Sequence, residues 1–91
     1  MLSNTCVSDA RKNTSDVRVY GDGDSFKLLF KASSEKEEWM KSTKAMEILR
    51  VGCVVQVTTQ VKGQVAESVT FVPGVKIVPD REHGGNKLVS I

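Results

Sequence analysis

Residues 34–49, SEKEEWMKSTKAMEIL, decide the fold when the chain is read as a bare sequence. Ser34 followed three residues later by Glu37 is the capping-box pattern, in which a hydroxyl and a carboxylate satisfy the free amides at a helix start. Glu35, Glu37 and Glu38 place negative charge where a helix dipole is positive. Projected at about 100° per residue, Trp39, Ser42, Thr43, Met46 and Leu49 fall on one side and Glu37, Lys41 and Lys44 on the other. Glu37 and Lys41 are also spaced for an i,i+4 pair. The stretch therefore predicts a helix, stopped by Gly52. Its Trp/Met stripe is expected to pack on an apolar strand face, a simpler use than a cofactor box.

On the N-terminal side, Asp16 to Tyr20 alternates in polarity as a half-buried strand does. The cluster Gly21-Asp22-Gly23-Asp24 then closes a hairpin. A second strand follows, with Phe26, Leu28, Phe30 and Ala32 on the face that receives the helix and Lys27, Leu29 and Lys31 pointing away. Residues 1–15 are polar and too poor in apolar side chains to bury, which predicts a flexible lead-in to a single domain over 16–91.

On the C-terminal side the chain reads as strands. Cys53 to Gln60 puts Cys53, Val55 and Val57 inward and Gln56, Thr58 and Gln60 outward. Lys62-Gly63 suits a two-residue turn. In the return strand Val65, Val69 and Phe71 share a face opposite Ala66, Ser68 and Thr70. Glu67 falls on the apolar side, which calls for a bulge or an edge position. Pro73-Gly74 signals a turn, Val75 to Val78 a short strand ended by Pro79, and Asp80 to Asn86 a polar loop. Lys87 to Ile91 fits a terminal strand. The expected class is α+β: a mainly antiparallel sheet of five or six strands, ordered β-β-α-β-β-β, with one helix packed on one face.

Composition narrows the function. The chain has 91 residues, 40% of them apolar and 26% charged, with a net charge of +2. That is enough for one folded domain with a small core, and too little charge to announce a nucleic-acid protein. Cys6 and Cys53 stand in different settings, which predicts one exposed and one buried thiol in a reducing compartment. Met1 to Ser15 lacks the apolar segment of a signal peptide, and no stretch nears the roughly 20 apolar residues of a membrane span. The expected location is the cytoplasm. The Asn13-Thr14-Ser15 glycosylation pattern carries no weight without secretion.

Catalytic and metal chemistry find no foothold in these residues. His83, the single histidine, sits in a Gly-rich loop and reads as solvated. Two cysteines and one histidine show no zinc spacing, and a Cys/His nucleophile pair has nothing to bring it together. Gly21 to Ser25 lacks the glycine placement and distal Glu of an EF-hand and the Lys-Ser/Thr tail of a phosphate loop. No catalytic residue, cofactor or metal is expected. The reading is a non-enzymatic binding module.

Two stretches resemble known families. Phe26 to Lys41 (FKLLFKASSEKEEWMK) is similar to the last strand and closing helix of a pleckstrin-homology domain, over about a sixth of the chain. Those domains end with that helix whereas strands come after it here, so phosphoinositide binding is not carried over. The blocks WMKSTKAM (39–46), GCVVQVTTQ (52–60) and ESVTFVPG (67–74) resemble small uncharacterised proteins of tailed bacteriophages and prophages. That resemblance implies a bacterial cytoplasm and an accessory role in infection, by protein–protein contact, ligand capture or nucleic-acid handling.

Three partners are therefore weighed. The first is another protein, with self-association as a homodimer included, met by a strand edge or by a flat polar face of Gln56, Thr58, Gln60, Ser68 and Thr70. The second is single-stranded nucleic acid on Arg18, Tyr20, Lys27 and Lys31. The third is a small ligand held at a dimer interface.

Overall fold

The computed structural model describes residues 7–21 and 25–91. One helix, α1 (Val7–Asn13), lies within the segment read as a lead-in, with Asp9 in its first turn and Arg11 and Lys12 in its last, as the helix dipole favours. Among the described residues six strands come after it: β1 (Lys27–Ser34), β2 (Trp39–Ile48), β3 (Gly52–Val61), β4 (Gln64–Pro73), β5 (Val75–Pro79) and β6 (Asn86–Ser90). The first four form an antiparallel meander in the order β1-β2-β3-β4, and β5 and β6 form a separate two-stranded sheet.

The α+β expectation is overturned, because the predicted helix is β2. Trp39 to Ile48 is paired on both sides, to β1 from Ala45 back to Trp39 and to β3 along its whole length. Hydrogen bonding to two neighbours outweighs the modest helix preference of Ala45, Met46 and Glu47, which amounts to tenths of a kcal/mol per residue. The capping signal is real but serves a turn. Ser34 Oγ accepts the Glu37 N–H at 3.1 Å, and the Glu35 carbonyl accepts the Glu38 N–H at 3.3 Å. Glu38, at φ 57, then leads straight into β2.

Two further expectations change with it. Residues 17–20 are not a strand, so β1 pairs with β2 instead of an N-terminal hairpin partner. The Gly21–Asp24 turn lies mostly outside the described residues, as does Cys6. In β1 the register shifts between Leu28 and Phe30, a bulge that makes Leu29 the extra residue. Phe26, Leu28, Phe30 and Ala32 therefore do not share one face. Leu29 turns to the core and Phe30 is left 57% exposed.

The C-terminal elements lie where the sequence places them. Lys62 and Gly63 take φ of 48 and 83, both positive as a tight type I′ hairpin turn requires. The β5–β6 hairpin folds back over one end of the meander. There Ala45, Cys53 and Val55 are buried against Leu29, Val72, Val75, Ile77 and Leu88. Glu47 pins the hairpin by accepting the Ile77 N–H at 2.7 Å. Burial first, and the Glu47 carboxylate second, push the Cys53 thiol above its ordinary pKa. Val57, expected inward, lies on this face but beyond the hairpin's cover and is 42% exposed. The opposite, far face has its own buried residues in Met40, Ser42 and Gln60.

Candidate functional site

The two edges of the meander are treated differently. At β1 the edge is guarded. Its bulge breaks the regular row of backbone groups, Asn86 Nδ2 donates to the Leu28 carbonyl at 3.1 Å, and β6 lies alongside. Bulges and covering loops are ordinary ways to keep a strand edge from pairing with another chain. At β4 none of these devices is present among the described residues. The strand runs ten residues without a register break, ends the sheet, and is exposed throughout except for a half-buried Val72.

Pairing parity shows which backbone groups face outward. A two-residue turn is closed by a hydrogen-bonded pair, here Val61 and Gln64, and such pairs alternate along an antiparallel ladder. Gln64, Ala66, Ser68, Thr70 and Val72 therefore direct their N–H and C=O groups to β3. Val65, Glu67, Val69 and Phe71 direct theirs outward. The same four side chains lie on the far face, where Val65, Val69 and Phe71 are 49%, 59% and 46% exposed.

Glu67 is the single charge on β4, and it is held back from the edge. Its Oε1 accepts from Gln56 Nε2 at 2.6 Å and from Thr58 Oγ1 at 3.4 Å, both on neighbouring β3. The edge position expected from its place in the apolar alternation is what the strand has, and no bulge forms there. Gln56 and Thr58, two residues of the expected polar face, are thus engaged within the sheet itself.

The other expected contact residues are not brought together. Register pairs Ser68 with Val57 and Thr70 with Val55, which puts both on the hairpin face, opposite Gln56, Thr58 and Gln60. Gln60 is 1% exposed and so does not form part of an outer surface. Lys27 pairs with Ala45 and Lys31 with Ser42, so the bulge sends these lysines to opposite faces. Arg18 and Tyr20 lie in irregular chain, with Tyr20 87% exposed. The apolar strip Val65/Val69/Phe71 is legible in the sequence as a face but not as a contact. The available signal is a long strand with one charge and no lysine.

The β5–β6 loop forms a second feature. Asp80 organises it: Oδ1 accepts the Glu82 and His83 N–H groups, each at 3.1 Å, and Oδ2 lies 3.1 Å from His83 Nδ1. Gly84 and Gly85, at φ 80 and 68, close the loop against β1. Between this loop and Leu28–Lys31 is an open cleft of about 430 Å³. Hydrogen bonds, led by the His83 N–H, hold the Asp80 carboxyl below its ordinary pKa. A carboxylate with a lowered native pKa stabilises the fold fully above its unfolded pKa of about 3.9, and that stability is lost as pH falls through the native value. Asp80→Asn is thus expected to lower the denaturant midpoint at neutral pH. The difference from wild type should shrink below about pH 4, as urea titrations at several pH values will show.

Among the described residues no group of three or more His, Cys, Asp or Glu is placed to hold a metal, and no helix is long and apolar enough to cross a membrane. The family model of the Lockin family matches residues 1–89. No curated protein and no solved structure matches the chain.

Proposed function

The chain belongs to the Lockin family, and on the geometry of β4 we propose that it is a non-enzymatic binding module whose open strand edge takes up a strand of another protein. The carrying observation is the asymmetry of the meander, with one edge bulged and covered and the other long, regular and nearly uncharged. Strand addition uses such a row: main-chain hydrogen bonds give affinity, and alternate side chains give selectivity. Here the selective contacts are Val65, Val69 and Phe71, with Glu67 fixed between them. The resemblance of residues 39–46, 52–60 and 67–74 to phage and prophage proteins is what supports an accessory role in a bacterial cytoplasm.

The test is Val69→Pro. Its lost N–H faces outward, so the β3–β4 ladder keeps its bonds and the strand is expected to stay folded. Tagged wild type and variant serve as baits in bacterial lysate, with circular dichroism to check the fold. Proteins held by wild type and released by the variant are the expected result. Equal capture by both baits would contradict the proposal, and salt-sensitive nucleic acid in the eluate would favour the Arg18/Tyr20 region instead.

A further inference from the structure

We infer that β4 also pairs with β4 of a second copy, antiparallel about a two-fold axis at Ser68, setting Val65 against Phe71 and Glu67 against Val69 of the other chain. This pairing rests on the open-edge reading of β4 and goes further by naming the partner and the register.

Backbone parity limits the choice. The outward groups belong to Val65, Glu67, Val69 and Phe71, so only registers that set these residues against one another form hydrogen-bonded pairs. Shifting the axis to Glu67 puts two like charges directly opposite, which is destabilising. Shifting it to Val69 brings Pro73, which has no N–H, into a hydrogen-bonded position opposite Val65. Centring on Ser68 avoids both. It overlaps residues 64–72 of each chain and makes about eight main-chain bonds, two at each hydrogen-bonded pair. Gln56 and Thr58 draw each Glu67 carboxylate back over its own sheet, away from its counterpart.

The contact is self-complementary but small. An overlap about 30 Å long and about 10 Å deep covers roughly 300 Å² per chain, well under the ~800 Å² of a stable complex. The dimer is therefore reversible and depends on concentration, which leaves the same edge available to a competing strand.

Cysteine cross-linking reads the register. Ser68 would face its own copy in a non-hydrogen-bonded pair, with Cα atoms about 4.5 Å apart and within disulfide range. Ala66 would face Thr70, so two Ala66 positions stand about 13 Å apart, too far to bridge. The variants carry Cys6→Ser, and Cys53 stays silent because it is fully buried. In oxidised glutathione, Ser68→Cys is expected to give covalent dimer at least tenfold faster than Ala66→Cys or Thr70→Cys. An equal mixture of the last two should yield the mixed dimer. Light scattering of wild type should show mass rising from 10.0 kDa towards twice that value on concentration. Cross-linking at similar rates at all three positions overturns the inference. A wild type that stays monomeric, with bait capture still dependent on Val69, overturns self-pairing and leaves the edge reading intact. If Val69→Pro changes neither capture nor mass, both readings fall.

Discussion

Gly52→Ala is expected to cost on the order of 3 kcal/mol or more. Gly52 is buried at the start of β3, and a Cβ added there would run into the Val72 carbonyl and come within 2.8 Å of Pro73 Cα and 3.0 Å of Phe71 Cζ. Two of these obstacles are backbone atoms of paired β4, so relief requires the two strands to separate. The cause is space and not backbone conformation, since Gly52 lacks a positive φ. For a domain whose whole stability is of order 5–10 kcal/mol, such a loss should lower the melting temperature by more than about 10 °C. Gly63→Ala supplies the contrast. At φ 83 with no atom within 4 Å of the added carbon, it should cost only about 1 kcal/mol. Thermal melts of both variants check the pair, and a Gly52→Ala melt within two or so degrees of wild type would refute the close approach.

Gly52 also shows how far local sequence carries. A glycine after a run of helix-compatible residues reads as a helix stop; its actual role depends on Val72 and Pro73, some twenty residues away. The same holds for residues 34–49. Ser34 and Glu37 make the local contact that the pattern promises, yet that contact is shared by helix starts and by turns. The conformation from Trp39 onward depends on partners in β1 and β3 that a local pattern cannot display. Periodicity gives little warning, because β2 lies inside the sheet and is buried at different points on its two faces, Ala45 on one and Met40 on the other. A strand covered on both sides loses the clean alternation that betrays one.

The second half of the chain is more legible because its punctuation is local. Lys62-Gly63, Pro73-Gly74 and the Asp80–Gly85 loop are short, chemically distinctive and close between sequence neighbours. The candidate site is half visible. Alternation sorts Val65, Val69 and Phe71 onto one side and marks Glu67 as sitting at a bulge or an edge. The bulge at Leu29 has no sequence signal, so simple alternation joins Lys27 and Lys31 wrongly. The polar face fails for a different reason: it combines one strand's outward residues with the wrong parity of the next, and only the register Val57–Ser68 shows it.

The outer row of β4 can be read one amide at a time. If the edge is open, Val65, Glu67, Val69 and Phe71 have amides with no ladder partner, whereas those of Ala66, Ser68 and Thr70 are bonded to β3. Protection in such ladders ranges from near zero to the full unfolding free energy, and each ~1.4 kcal/mol is a factor of ten in rate. The contrast between adjacent residues should therefore reach several orders of magnitude. The most direct test is amide hydrogen exchange by NMR in dilute protein, repeated on concentrating it. An open edge that pairs with its own copy predicts fast exchange at 65, 67, 69 and 71 in dilute solution and slow exchange at 66, 68 and 70. The first set should then slow as the protein is concentrated. Equal protection of both sets in dilute protein would contradict an open edge, since the edge would then already be occupied.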